Sequence, residues 1–179
     1  MRIISGFYKG RVIQAPQYFK LRPTTDKAKE SLFNILYNEF DFEDIHVLDL
    51  FAGIGSISYE CASRGCKRVV SVEKHPKHAQ FIKSQKERLE TPSLQVICQD
   101  VRIYLQKCTE SFDVIFADPP YELPWIDSLP DLIFQSSVVA DESTIIIEHS
   151  AQTSFSNHPN FSHTRKYGKV HFSWFEKKI

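Results

Sequence analysis

Short apolar runs rich in β-branched residues alternate with amphipathic segments between Ile45 and Glu148. This alternation is typical of a parallel sheet whose strands are joined by crossover helices. Strands are predicted at 46–50, 68–73, 94–98, 112–117 and 143–148, and helices near 56–63, from Pro76 to the Thr91-Pro92 break, and near 101–106. The pattern therefore predicts an α/β fold built on a mostly parallel sheet.

The two ends of the chain carry different patterns. Two strand-like runs, 161–166 and 169–175, are joined by Tyr167-Gly168 and predict an antiparallel hairpin at the sheet edge. Near the start, residues 3–4 and 11–13 suggest a small hairpin around Gly6 and Gly10, and Thr24-Thr25-Asp26 offers an N-cap for a helix. With no linker in view, we expect one domain, 1–179, with a basic hairpin extension at 1–25 and the core at 26–179.

Composition narrows the class of protein. The 179 residues are 42% hydrophobic and 25% charged, which is ordinary for a water-soluble domain. No apolar run approaches the roughly 20 residues that span a bilayer, and the start lacks a signal-peptide core, so we expect a cytoplasmic protein and no membrane partner. The four cysteines form no Cys-x-x-Cys pair, and we expect no metal site.

The zero formal net charge conceals basic ends and an acidic centre. Residues 1–30 sum to +5, residues 151–179 to +4, and the segment between them to −9. Basic ends attract a polyanion through phosphate neutralisation, although scattered solvated lysines give the same count.

Asp118-Pro119-Pro120-Tyr121 directly follows the apolar run of the fourth predicted strand. The Asp118 carboxylate can accept one hydrogen bond from a planar NH₂ group, and a carbonyl of the rigid Pro119-Pro120 step can accept the other. Tyr121 can stack on the heterocycle that carries the amine. A strand followed by a Pro-Pro stop explains the same residues structurally, because Asp-Pro commonly starts turns.

Further acidic and glycine residues follow the other predicted strands, where ligands bind in open parallel sheets. The first strand leads into Asp49-Leu50-Phe51-Ala52-Gly53-Ile54-Gly55, whose glycines allow a ligand close to the backbone. Glu73 is spaced to accept from both ribose hydroxyls, and Asp100 from an adenine amine, although either acid also serves as a helix cap. Ser58 replaces the third glycine of a dinucleotide fingerprint, which argues against NAD. A nucleoside site beside an amine pocket suggests S-adenosylmethionine and methyl transfer to nitrogen.

These motifs resemble those of class I S-adenosylmethionine-dependent amino-methyltransferases. The start of the chain narrows the resemblance, since 1–6, Gly10-Arg11, 21–26 and 30–34 are similar to the bacterial family that methylates the guanine N2 amine in 16S ribosomal RNA. The resemblance implies a Rossmann-like, seven-stranded sheet, S-adenosylmethionine as cofactor, and one guanine of 16S rRNA as target, in a small subunit or late precursor. We expect a monomer.

Candidate site residues follow from the motifs and the resemblance. Asp118 and the Pro119 carbonyl would hold the two N2 protons, with Tyr121 stacked on the flipped-out base. The expected cofactor-binding residues are Asp49, Phe51, Gly53, Gly55, Glu73, Asp100 and Asp118. The expected substrate-binding residues are Lys9, Arg11, Arg22, Thr24 and Tyr121, with Arg22 and Thr24 equally suited to loop and cap roles.

Other functions stay open at this point. A DNA adenine-N6 methyltransferase would use the same tetrapeptide, because adenine N6 is also a planar amine, although we find no insertion large enough for a DNA-recognition region. A catalytically silent nucleotide-binding module that assists ribosome assembly, and a dehydrogenase, are the remaining alternatives.

Overall fold

A computed structural model describes residues 1–19 and 25–178 of the chain. The strands of this part are β1 (His46–Leu50), β2 (Arg68–Glu73), β3 (Leu94–Cys98), β4 (Phe112–Ala117), β5 (Val139–His149), β6 (Phe161–Tyr167) and β7 (Val170–Glu176). They form one sheet in the order β3-β2-β1-β4-β5-β7-β6. The first five strands pair in parallel, and β7 is antiparallel to both β5 and β6. The predicted mostly parallel α/β sheet with a C-terminal antiparallel hairpin is confirmed.

Helices cover both faces of this sheet, and the first four begin at the residues that the sequence suggested. They are α1 (Asp26–Glu39), α2 (Ser56–Ser63), α3 (Pro76–Leu89), α4 (Val101–Lys107), a 3₁₀ turn (Ile126–Ser128) and α5 (Leu129–Phe134). The Thr25 side chain caps α1 by accepting from the Ala28 N–H at 3.2 Å. Pro76 starts α3, where a missing N–H costs nothing.

Two elements differ from the sequence prediction. α5 was missed because Pro130 interrupts its apolar pattern, yet proline is tolerated in a first helical turn. β5 starts four residues before the predicted Ser143, because its first residues are mostly exposed and polar and give no apolar signal. The Ser143 hydroxyl donates to the Phe112 carbonyl at 2.6 Å and joins this polar start to β4.

The N-terminal hairpin is present as a short antiparallel pairing. Arg2 bridges Val12, and the Ile3 N–H donates to the Arg11 carbonyl at 3.0 Å. Ile3 and Ile13 are buried in the same core as α1 and α2. The segment is therefore integrated with the core by hydrophobic burial.

A buried ion pair fixes the hairpin to the helices. The Glu60 carboxylate, 0% exposed, accepts from the Ile4 and Ser5 N–H groups at 2.9 and 3.0 Å. Lys29 of α1 lies 3.5 Å from Glu60 and donates to the Arg2 carbonyl at 2.7 Å. Burial lowers the pKa of Lys29, while the Glu60 charge opposes that shift. These contacts tie α1, α2 and the hairpin together, so the start of α1 is held beside the sheet edge.

Candidate active site

A cavity of about 1020 Å³ opens at the carboxyl edge of the sheet. Its lining comes from the segments that follow β1, β2, β3 and β4, from the end of β5 and from the start of β7. Typical ligand pockets measure about 300–1,000 Å³, so this volume accommodates a nucleoside cofactor together with a second planar group. The predicted site residues that line it are Asp49, Phe51, Gly53, Glu73, Asp100, Asp118, Pro119 and Tyr121.

The loop after β1 has residues with positive φ, and one of its N–H groups donates to Glu73. Phe51 and Gly53 both have positive φ, at 61° and 58°, which is a strained conformation for a phenylalanine. The Gly53 N–H donates to Glu73 Oε2 at 2.8 Å, and the His75 N–H donates to Oε1 at 2.6 Å. A carboxylate offers about four acceptor sites, so Glu73 keeps capacity for ligand hydroxyls. His75 is the N-cap of α3.

Gly55 has a different role from Gly53. It does not line the cavity, and its φ of 81° places it at the N-cap of α2. A Cβ at this position would lie 2.9 Å from Tyr59 Cε2 and 3.3 Å from Ile82 Cγ1. The structure thus places Gly55 where it allows close packing between α2 and α3, one layer behind the cavity wall.

Asp49 and Ser58 form a buried polar network. Asp49 Oδ2 accepts from both the Ser58 N–H, at 3.1 Å, and the Ser58 hydroxyl, and the Ser71 hydroxyl lies against that of Ser58. Because Ser58 has a single hydroxyl proton, Ser71 is the donor of the second bond when Asp49 is ionised. Burial raises the pKa of Asp49 to about 7, and the two hydrogen bonds from Ser58 limit the shift. The serine in place of a third glycine therefore fixes Asp49 at the cavity wall.

Asp100 combines a cap with a position in the cavity. Its side chain accepts from the Arg102 N–H at 3.0 Å and so caps α4, and the Lys74 ammonium lies 3.3 Å away. The hydrogen bonds from Arg102 are the largest cause that lowers the pKa of Asp100. The cap interpretation of Asp100 is confirmed. Because a capping carboxylate retains further acceptor sites, the adenine-binding interpretation is compatible with it and stays a prediction.

The Asp118-Pro119-Pro120-Tyr121 segment turns away from the end of β4 into the cavity. The Asp118 N–H donates to the Leu50 carbonyl at 3.3 Å, and the Pro120 carbonyl accepts from the Leu123 N–H at 2.9 Å, which closes the turn. Burial raises the pKa of Asp118 well above its ordinary value, and the negative charges of Glu148 and Asp49 add to the shift. Asp118 therefore binds a proton more tightly than an exposed aspartate does. A cation bound nearby would favour its ionised form.

Glu148, the last acidic residue before the end of β5, was missed as a site residue. It is 3% exposed, lines the cavity, and accepts from the Tyr121 hydroxyl at 3.3 Å. This bond fixes the orientation of the Tyr121 ring. The signal was available, since Glu148 ends a predicted strand as Glu73 does, but the sequence does not say which strands lie beside β4.

An aromatic wall, formed by Phe51 and Trp125, closes another side of the cavity. Their ring centroids lie 5.9 Å apart, and the Arg102 guanidinium lies 5.1 Å from the Trp125 ring. Aromatic and guanidinium groups at a cavity wall can pack against a flat heterocycle. From its place just after the tetrapeptide, Trp125 could contact the base or cap a helix, and the structure places it at the cavity and at the start of the 3₁₀ turn.

Lys9 and Arg11, which were expected to contact substrate, do not lie at the cavity. The turn that carries Lys9 and Arg11 packs against the last residue of α2, where the Phe7 N–H donates to the Ser63 carbonyl at 2.7 Å. The neighbouring Tyr8 hydroxyl donates to the Glu90 carbonyl at the end of α3. Both helices start at the carboxyl edge, so this turn lies at the opposite edge of the sheet. Arg22 and Thr24 lie outside the described residues.

In 1–19 and 25–178, no group of three or more His, Cys, Asp or Glu side chains is arranged to hold a metal ion. Within the same ranges, no helix has both the length and the apolar character needed to cross a bilayer.

The strand order, the antiparallel β7 and the carboxyl-edge cavity define a Rossmann-like class I methyltransferase. Solved structures share this fold: the yhhF protein of Escherichia coli has a TM-score of 0.86 at 24% identity, with 99% of each chain covered. A hypothetical protein of Thermus thermophilus has a TM-score of 0.84 at 26% identity, again with 99% of each chain covered.

Sequence comparison then gives the family. Residues 1–176 match the family described as "Conserved hypothetical protein 95". The chain belongs to this family, which confirms the resemblance noted from its motifs. "Ribosomal RNA small subunit methyltransferase D" of Buchnera aphidicola subsp. Baizongia pistaciae is 30% identical over 97% of this chain and 90% of its own length. The protein of the same name in Escherichia coli K12 is 28% identical over 99% of this chain and 90% of its own length.

Proposed function

We propose that the protein transfers a methyl group from S-adenosylmethionine to the N2 amine of one guanine in 16S ribosomal RNA. The observation that carries this proposal is the position of Asp118, half-buried in a cavity that also contains Glu73 and Tyr121. The names of the relatives support a target in the small ribosomal subunit.

The donor groups of the cavity fit the cofactor. Glu73 is held in place by the Gly53 and His75 N–H groups and can still accept from two ribose hydroxyls. Asp100, beside the Phe51–Trp125 wall, suits an adenine ring with its amine. Asp49, Asp118 and Glu148 supply negative charge to the same space, which favours a cationic ligand over a neutral one. When bound, S-adenosylmethionine supplies the electrophilic methyl group.

The remaining residues act on the acceptor base. The N2 lone pair of guanine is delocalised into the ring, so catalysis requires that it point at the methyl carbon. Asp118 and the Pro119 carbonyl would each accept one N2 proton and hold the nitrogen in that orientation. As the nitrogen–carbon bond forms, the sulfur–carbon bond would break and leave a neutral thioether, and one N2 proton would then be lost. The raised pKa of Asp118 makes it a suitable acceptor for that proton.

Tyr121 and the basic residues complete the proposed substrate site. The Tyr121 ring, oriented by its hydroxyl bond to Glu148, would stack on the extruded base. Arg22 and Thr24 stay proposed contacts of the RNA or of the loop before α1. Lys9 and Arg11 stay proposed contacts to RNA distant from the target nucleotide, given their place at the opposite edge. The division into an extension at 1–25 and a catalytic core at 26–179, the cytoplasmic location and the monomeric state are proposed with them.

The test uses labelled S-adenosylmethionine with three substrates from a strain that lacks the enzyme: small subunits, free 16S RNA and genomic DNA. We expect label in small subunits, recovered as N2-methylguanosine after digestion. Label only in DNA, or in adenine, would establish the DNA adenine-N6 alternative instead. If no substrate gains label while Asp118→Ala still restores the cellular role, the chain is a silent assembly module.

A further inference from the structure

The turn between β6 and β7 lies at the same sheet edge as the cavity. β7 is antiparallel to β5, and His171 pairs with His149 at the end of β5. Val170 lines the cavity, and its pairing with Tyr167 closes the turn. Residues 168–169, at the tip, therefore extend past the ends of the parallel strands beside the cavity opening.

This turn concentrates exposed positive charge. Lys166 and Lys169 are both exposed, and the salt bridges of the described residues include neither of them. No acidic residue occurs between Glu148 and Glu176. Arg165 is engaged differently, since its Nε donates to the His163 ring at 3.3 Å and its guanidinium lies 5.9 Å from the Trp174 ring. The two lysines are thus available to an anionic partner.

Because the cavity lining is acidic, an RNA substrate needs positive charge beside the cavity opening. Asp49, Asp118 and Glu148 contribute negative charge to the cavity lining, and a phosphate group entering with the base would be repelled. A strand can deliver one base only if its flanking phosphates are held outside the opening by cations. Lys9 and Arg11 cannot do this near the target, because their turn lies at the opposite sheet edge.

We propose that Lys166 and Lys169 of the β6–β7 turn bind the phosphate backbone of the RNA strand next to the nucleotide whose base enters the cavity. This inference rests on the proposed function, because the RNA that the lysines bind is the substrate of the proposed methylation. Packing on both sides holds the turn in place for this phosphate contact. The ring centroids of Tyr167 and Phe172 lie 5.8 Å apart, and Val170 is buried.

The experiment compares the wild type with a Lys166→Gln/Lys169→Gln variant in binding to small subunits and to free 16S RNA, at about 50 to 400 mM salt. Each lost phosphate contact removes roughly 0.7 from the slope of log affinity against log salt for single-stranded RNA, so the slope should fall by about 1.4. The same relation gives an affinity loss of about twenty- to thirtyfold at 0.1 M salt. The maximal methylation rate at saturating RNA and the affinity for S-adenosylmethionine should stay within about twofold of the wild type.

A matched control removes the same charge from the opposite sheet edge. Lys67, before β2, and Lys107, at the end of α4, are both exposed, so Lys67→Gln/Lys107→Gln should leave the salt slope nearly unchanged. An unchanged slope in the Lys166/Lys169 variant, or an equal fall in both variants, would overturn the inference. Because binding is measured without methyl transfer, a failure of the proposed reaction would be visible separately from a failure of this contact.

Discussion

At the residue scale, two carboxylates at one sheet edge have separate proposed tasks. Glu73 accepts from Gly53 and His75 and is proposed to bind the cofactor, whereas Asp118 follows β4 and is proposed to bind the acceptor amine. This separation follows from their strands, because β2 and β4 lie on opposite sides of β1. A single cavity therefore offers two subsites that can be tested independently.

Two alanine variants test the assignment. Asp118→Ala should lower turnover by about 10²–10³-fold and leave the affinity for S-adenosylmethionine largely intact, because it removes a group that positions the acceptor. Glu73→Ala should weaken cofactor binding by about tenfold or more, since it removes a charged acceptor and leaves two N–H groups without their partner. Calorimetry of cofactor binding and single-turnover methylation separate the two effects. Equal losses of cofactor affinity would mean that the subsites are misassigned.

The acidic residues also show how far single residues can be predicted. Asp118, Glu73 and Asp49 were identified because each lies at or near the end of a predicted strand, and Asp118 also precedes Pro119. Glu148 also ends a predicted strand, but its contact with Tyr121 depends on β5 lying beside β4. Gly55 is the opposite case, because the sequence predicted a ligand-binding glycine and the structure places it against the Tyr59 ring.

At the scale of elements, the N-terminal hairpin is attached to α2 through backbone groups. Gly6 has a φ of +81°, and a Cβ there would lie 1.8 Å from the Ser63 carbonyl oxygen. Gly10 has nearly the same φ, +82°, with nothing within 4 Å of a Cβ. The two glycines share the conformational requirement and differ in the steric one, which makes them a matched pair.

Alanine at each glycine separates the two requirements. Gly10→Ala should cost about 1–2 kcal/mol of unfolding free energy from the left-handed conformation alone. Gly6→Ala should cost about 2 kcal/mol more, because the turn must move and release the bonds of Phe7 and Tyr8 to Ser63. Equilibrium urea denaturation measures both. Similar losses in the two variants would show that the hairpin shifts without resistance from α2.

At the scale of the whole molecule, the sheet brings three carboxylates from distant parts of the chain into one cavity. Asp49 belongs to β1, Asp118 follows β4 and Glu148 belongs to β5. Burial, with a smaller contribution from the Glu73 charge, raises the pKa of Asp49 to about 7. Burial and the charges of Glu148 and Asp49 raise the pKa of Asp118 well above its ordinary value. A cation bound nearby favours the ionised forms and lowers both values.

This linkage predicts a pH-dependent preference for the charged cofactor. The sulfonium of S-adenosylmethionine is positive, whereas the sulfur of the demethylated product is neutral. As pH rises through 7 the free Asp49 carboxyl group ionises, so affinity for the cofactor should rise relative to affinity for the product, by about five- to tenfold between pH 6 and 8.5. Titration calorimetry with both ligands checks the ratio. A ratio that is independent of pH would exclude the Asp49 carboxylate as a neighbour of the sulfur, and Asp49→Asn should reduce the dependence.

The sequence alone determined the alternation of strands and helices, the C-terminal hairpin and the motifs of a methyltransferase, because these depend on local periodicity and on short contiguous residue patterns. It did not determine α5, whose apolar pattern is interrupted by Pro130. Nor did it determine that the turn with Lys9 lies at the sheet edge opposite the cavity. Only the tertiary structure decided which strand ends are neighbours, and hence that Glu148 meets Tyr121 and that the β6–β7 turn borders the cavity. Such proximities arise from strand order, which local sequence does not encode.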